Sequence, residues 1–133
     1  MRLTYKTEYA LLALIYLARK SGANSVLAQE ISEAQQIPKK FLQQIFSQLK
    51  QARYINAVRG KNGGYRLAKE PKDITVAEIV RLFDGPLAST SAVSKYFYAA
   101  APIEREKKAL ELLREVREFT AKKLESTTLA DLI

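Results

Sequence analysis

The sequence predicts a mainly α-helical chain that carries one small β-hairpin and finishes in a long helix. Three features support this. Apolar residues recur at helical spacing through most of the chain. The stretch Val58 to Lys69, VRGKNGGYRLAK, sets an Asn-Gly pair between two short strand-like runs, the usual signal of a hairpin. A length of 133 residues with 47% hydrophobic content most simply makes one domain around one core, with an appended element.

The first helix is expected from about residue 4 to residue 20. Its apolar run, Tyr9 to Ala18, resembles a signal peptide but is only ten residues long, contains two tyrosines and ends in Arg19-Lys20 without a clear small-residue cleavage site. It is also far short of the roughly 20 apolar residues of a membrane span. The expectation is therefore a helix buried on most sides, in a cytoplasmic protein. SGANS then reads as a loop, and VLAQEISEAQQI as a short helix with Leu27, Ile31 and Ala34 at helical spacing. Pro38 suits the first turn of the next helix, where a missing N–H costs nothing. In IPKKFLQQIFSQLKQARY the residues Phe41, Leu42, Ile45, Phe46, Leu49 and Ala52 form one apolar stripe. Lys39, Lys40, Gln43, Gln44, Ser47, Lys50 and Gln51 then form the opposite face.

INAVR and YRLAK read as the two strands of the hairpin, with Asn62-Gly63 supplying the positive φ angles of a tight turn. Thr75 is the expected N-cap of a further helix, Glu78 completes its capping box, and Gly85-Pro86 stops it. LASTSAVSKYFYAAAP lacks periodicity and is expected to be a loop, with a helical turn around 95–99. The long helix should run from Pro102 to about Glu125, with Ala109, Leu112, Leu113, Val116, Phe119 and Leu124 as its apolar stripe. The expected division is 1–87 for the first domain, 88–101 for a connecting loop and 102–133 for the long helix and tail.

The glycine-rich basic stretch does not hold phosphate in either of two common ways. Lys61 follows the first glycine directly, and no Ser or Thr completes a GxxxxGK[ST] loop. The run YRLA after the last glycine is strand-like rather than the start of a helix, which excludes a dinucleotide fingerprint. The chain has no cysteine and no histidine, which removes disulfides, thiolate nucleophiles, the usual zinc sites and imidazole acid–base chemistry. With no pair of convergent carboxylates either, an enzyme is not expected, and neither is a metal or other cofactor.

The charge does point to a partner. The net charge is +8. Residues 1–73 hold thirteen Lys or Arg against five acids, whereas residues 74–133 hold nine of each, so the whole excess lies in the first half. Between Glu33 and Glu70 there are eight basic residues and no acid. A segment cleared of carboxylates fits a polyanion, and nucleic acid suits it better than a membrane, because no helix here has basic and bulky apolar faces. Two short helices joined by a tight turn and followed by a basic hairpin give the order of a winged helix-turn-helix, in which the second helix enters the major groove and the hairpin, or wing, reaches the adjacent groove or backbone. Gln pairs with adenine, Lys with guanine or phosphate, and Ser with either. The expected DNA-binding residues are Lys39, Lys40, Gln43, Gln44, Ser47 and Lys50 on the helix, and Arg59, Lys61 and Arg66 on the wing. The long helix either packs on its own core or pairs with a second copy. Pairing is preferred, because a dimer reads two half-sites, and it places Leu112, Leu113, Val116 and Phe119 in the interface.

MRLTYKTEYALLALIYLA, IPKKFLQQIFSQLKQARYINAVRGKNGGYRLAKEP, ITVAEIVRLFDGP and STTLADLI resemble, in order and spacing, the Rrf-two family of bacterial transcription regulators. The resemblance covers about residues 1–87 and 103–133. It implies a winged-helix homodimer crossed through its long helices on pseudo-palindromic promoter DNA, most simply a repressor. It also implies base reading by Lys39, Lys40, Gln43 and Gln44, and a wing arginine at Arg59 with Lys61 and Tyr65 beside it at the DNA. One member carries Glu at the place of Gln43, so base preference does not transfer. Cluster-binding members carry three cysteines before the long helix. LASTSAVSKYFYAAAPIE has none, so the resemblance implies a member without an iron–sulfur cluster. Tyr96, Phe97 and Tyr98 are candidates for an effector pocket or for aromatic packing between subunits. The rival reading is a winged-helix module controlled by a partner metabolic enzyme.

Overall fold

A computed structural model describes residues 2–22, 25–61 and 63–133. Helix α1, Tyr5–Arg19, is the central post. Ala10, Ala13, Leu14, Leu17 and Ala18 recur at helical spacing and are all at most 2% exposed. It packs against the next three helices, the second strand and the C-terminal tail, so it is buried on most sides, as its composition predicted.

Helix α2, Ala28–Gln35, is shorter than its apolar pattern suggested. Ile31 is fully buried, but Leu27 and Ala34 are exposed and Ile37 takes the second core position. The reason lies in the turn that ends the helix. Gln36 adopts a left-handed backbone at φ 54°, Ile37 N–H donates to Ser32 O at 3.0 Å, and this closure swings Ile37 inward. Helix α3, Lys39–Gln51, follows with Pro38 at its N-cap, one residue outside the first turn. Its C-terminus closes in the same way: Arg53 is left-handed at φ 66°, with Arg53 N–H on Lys50 O and Tyr54 N–H on Leu49 O, a Schellman closure with Arg in the usual place of Gly.

Strands β1, Ile55–Val58, and β2, Gly64–Leu67, pair antiparallel with Ile55 opposite Leu67 and Val58 opposite Gly64. That register leaves residues 59–63 as a five-residue loop, rather than a tight turn centred on Asn62-Gly63. Asn62 lies outside the described residues; positive φ falls on Gly60 at 107° and Gly64 at 141°. Gly64 is required by contact as well, since a Cβ there would stand 2.3 Å from Val26 O. The wing leans on Val26 through a pair of 2.8 Å bonds with Tyr65.

Helix α4, Val76–Asp84, has the predicted Thr75–Glu78 capping box and ends at Gly85. Between α4 and the long helix, the 3-10 turns are at Ser91–Val93 and Pro102–Arg105; none forms at 95–99, where Ser94 Oγ instead accepts the Phe97 N–H. Helix α5, Lys107–Glu125, begins after the second turn, five residues later than Pro102. Its C-terminal half is tied to α4 by Ala121 and Leu124 and by the Arg81–Glu125 ion pair at 2.6 Å. The tail then returns. Thr127 O and the Leu129 N–H bond to Val76 and Ile74, and Leu129 is fully buried in the main core.

Candidate nucleic-acid interface

The orientation of α3 is set by its apolar stripe. Leu42, Ile45, Phe46 and Leu49 are at most 1% exposed, which fixes the rotation of the helix and turns Lys39, Lys40, Gln43, Gln44, Ser47, Lys50 and Gln51 to solvent, all of them exposed. Phe41, at the edge of the stripe, is 40% exposed and rests on the Tyr9 ring at 5.9 Å between centroids.

The wing is held beside this face by its own aromatic. The Tyr65 ring meets Phe46 at 4.4 Å between centroids, so Tyr65, half-buried, spends its ring on fastening the wing to the underside of α3. Arg59, Lys61 and Arg66 are exposed. The base of the wing is fixed by Tyr54, whose hydroxyl donates to Glu78 at 3.3 Å. Burial, helped by the Glu78 charge and this bond, raises the Tyr54 phenol above its ordinary value. Lys69 covers the same ring at 4.8 Å.

Helix face and wing therefore present one continuous basic surface. Among the described residues, none of Lys39, Lys40, Lys50, Arg53, Arg59, Lys61 and Arg66 has an ion-pair partner; Lys39 alone is occupied, donating to Gln29 at 3.1 Å. Unneutralised charge on a convex helix, flanked by a projecting ribbon, suits phosphates on either side of a groove. Arg53, at the C-terminal end of α3, belongs to this surface. Sequence reasoning counted its charge but missed its place, although an unusual left-handed Arg leaves no clear mark in a sequence.

The other predicted positions lie on α5 and the loop before it. Leu112, Val116 and Phe119 are 59%, 49% and 79% exposed, while Leu113 is half-buried and leans toward its own chain. Tyr96, Phe97 and Tyr98 are largely exposed. The Arg81 guanidinium lies 5.0 Å from the Tyr96 ring and the Lys95 ammonium 5.3 Å from it. The Tyr98 hydroxyl donates to Glu104 at 2.8 Å, and that bond raises its phenol.

A family model described as Rrf2, iron-dependent transcriptional regulator, matches residues 3–133. The HTH-type transcriptional regulator CymR of Bacillus subtilis is 30% identical over 132 residues, 99% of this chain and 89% of its own. A candidate HTH-type regulator of Mycobacterium tuberculosis is 36% identical over 132 residues, 98% of this chain and 80% of its own. The structure of B. subtilis CymR, the global cysteine regulator of that organism, superposes with a TM-score of 0.81 over 99% of this chain and 95% of that one. T. potens IscR superposes at 0.72 with 28% identity, over 99% and 85%.

An iron–sulfur centre needs thiolate or imidazole ligands. This chain has no Cys and no His, and among the described residues no group of three or more potential ligands gathers to hold an ion. The residues present do not fit the iron of the family description. Among the described residues, no helix is long and apolar enough to cross a membrane.

Proposed function

The chain belongs to the Rrf2 family of transcriptional regulators, whose matching members are DNA-binding regulators rather than enzymes, and from that membership we propose that it acts as a cluster-free homodimeric repressor on pseudo-palindromic promoter sites. In this reading the winged domain, 1–87, meets DNA, the segment 88–101 connects, and α5 with its tail, 102–133, joins two copies. The carrying observation is the basic surface of α3 and the wing without ion-pair partners among the described residues, together with the exposed apolar row of α5. Gln43 and Gln44 project from the first turns of α3, where base edges are read, with Lys39 and Lys40 beside them. Arg59, Lys61, Arg66 and Lys50 hold phosphates. Repression needs only occupancy of the promoter by the dimer. A regulating ligand or protein would meet the chain near Tyr96, Phe97 and Tyr98.

The division between base reading and phosphate contact is tested by two substitutions. Lys61→Ala weakens binding to operator and random DNA alike and lowers the salt slope by about one ion. Gln43→Ala relaxes preference at one base pair by roughly 1–3 kcal/mol. Fluorescence titration across salt concentrations measures both, and an equal loss on specific and random DNA for Gln43→Ala removes it as a base reader.

A further inference from the structure

Behind α5, on the face turned away from Leu112, Val116 and Phe119, lies an open cleft of about 570 Å³ lined by Lys95, Arg117, Ala121, Lys122 and two glutamates, Glu118 and Glu125. One wall is the segment after the 3-10 turn Ser91–Val93; the other is the C-terminal half of α5. The Arg117 side chain is only 14% exposed, and its Nε is buried with no hydrogen-bond partner in the protein. A buried, unsatisfied donor on a permanent cation is costly, and the guanidinium that carries it lines the cleft, where an anionic oxygen can pair with it.

The charges around the cleft leave room for such an anion. Glu125 is taken by Arg81, a bond that holds its carboxyl below the usual range against the burial pushing it up. Glu118 is taken by Arg117 through its NH2 group. Lys95 and Lys122, both exposed, have no ion-pair partner among the described residues. Three cations thus line the cleft beside two carboxylates, both already engaged, Glu125 by Arg81 from outside it. The carbonyl end of the α5 dipole lies at Ser126 and repels an anion there, which directs it to the Arg117–Lys95 end, beside the Tyr96 ring.

We propose that this cleft binds a small dianion, a phosphate or a dicarboxylate, on the Arg117 guanidinium with Lys95 and Lys122 as flanking charges. The ligand bridges the segment at Lys95 to α5, so occupancy ties the long helix to the chain that follows the Ser91–Val93 turn. Its regulatory consequence rests on the DNA-binding reading above; the binding itself is read without DNA.

The test is a proton–nitrogen NMR titration of the ¹⁵N-labelled full chain with sodium phosphate and, separately, with succinate, at constant ionic strength balanced with chloride. The Arg117 Nε–H resonance is assigned by its loss in Arg117→Lys. It should shift saturably with one of the two ions, half-saturating at or below about 1 mM, and the ion with the lower midpoint names the source. In Lys95→Gln/Lys122→Gln, both exposed sites that leave the core intact, the midpoint should rise at least about tenfold. In Arg59→Ala/Lys61→Ala the response should persist, because the wing is a separate anion surface. A shift that stays linear with both ions, an unchanged midpoint in the lysine double variant, or loss of the response in the wing variant overturns the site. None of these outcomes touches the DNA reading, which the salt titration decides.

Discussion

Helices α3 and α5 carry the same kind of amphipathic pattern and have opposite environments. In α3, Leu42, Ile45, Phe46 and Leu49 are covered to within 1% of full burial by α1, α2 and the wing. In α5, Leu112, Val116 and Phe119 stand half to four-fifths exposed, and only Ala121 of the whole helix is buried. A buried Phe or Leu contributes about 1.5–3 kcal/mol, so α3 is held in place within the chain, whereas α5 leaves that stabilisation unclaimed along its outer face. A row of large apolar side chains left in water marks an association surface. The contrast separates a head that is complete in one copy from a limb whose apolar row its own chain leaves uncovered, the row that the proposed dimer would bury.

Truncating one phenylalanine in each helix puts this contrast under the most strain. Phe46→Ala opens a cavity beneath the wing and removes the ring that holds Tyr65, and should cost about 3–5 kcal/mol. Phe119→Ala should cost less, and its cost should grow with protein concentration, because it acts through association. Urea unfolding at two protein concentrations measures both. A concentration-independent loss for Phe119→Ala as large as that of Phe46→Ala would show that α5 is completed within its own chain.

Charging the limb comes next. Leu112→Glu with Val116→Glu places two carboxylates in the exposed row while leaving the half-buried Leu113 undisturbed. If two copies bury that row, unpaired charge is costly there, and self-association should weaken roughly a hundredfold with the thermal midpoint of the head little changed. Light scattering reads the mass and circular dichroism the fold. A parent protein already monomeric at micromolar concentration would remove the dimer altogether.

These differences also explain what could be read in the sequence. The α4 helix was legible to its caps, because Thr75, Glu78 and Gly85 act within a few residues of one another. The polar face of α3 was legible because its apolar stripe fixes it. Which apolar stripe is covered by its own chain does not follow from the period, which α3 and α5 share; the preference for pairing along α5 rested on how a dimer reads two half-sites, and the uncovered row itself is visible only in the tertiary arrangement. The ends of α2 and α3 were misread or missed because the closing left-handed residues are Gln36 and Arg53, where local chemistry favours glycine. The wing turn was expected at Asn62-Gly63 because that signal is local, whereas the demand of Val26 for a glycine at position 64 is a contact between residues far apart in sequence. The cationic cleft behind α5 went unseen for the same reason: Lys95 joins Arg117 and Lys122 only through the fold.

The smallest effect lies at the joint between head and limb. Arg81 on α4 donates to Glu125 at the end of α5, and this bond holds the Glu125 carboxyl below its ordinary value against the desolvation that raises it. A folded value below the unfolded one, about 4.3, means that the stabilisation is fully present above that pH and is lost as pH falls through the folded value. With Glu125 at 44% side-chain exposure, solvent screening keeps the contribution well under about 1 kcal/mol, too little to unfold the head but enough to loosen the limb. Amide exchange at pH 6 and at pH 3.5, corrected for the intrinsic rate, should therefore show the last turns of α5 losing protection in acid before α3 does. In Glu125→Gln that end of α5 should already be less protected at pH 6 and should lose less on acidification, while the part of the acid response that comes from Asp84, bonded by the Thr4 hydroxyl and amide, stays in place. If α3 and α5 lose protection together in the parent, the two helices form one cooperative unit, and the division into head and limb is one of shape only.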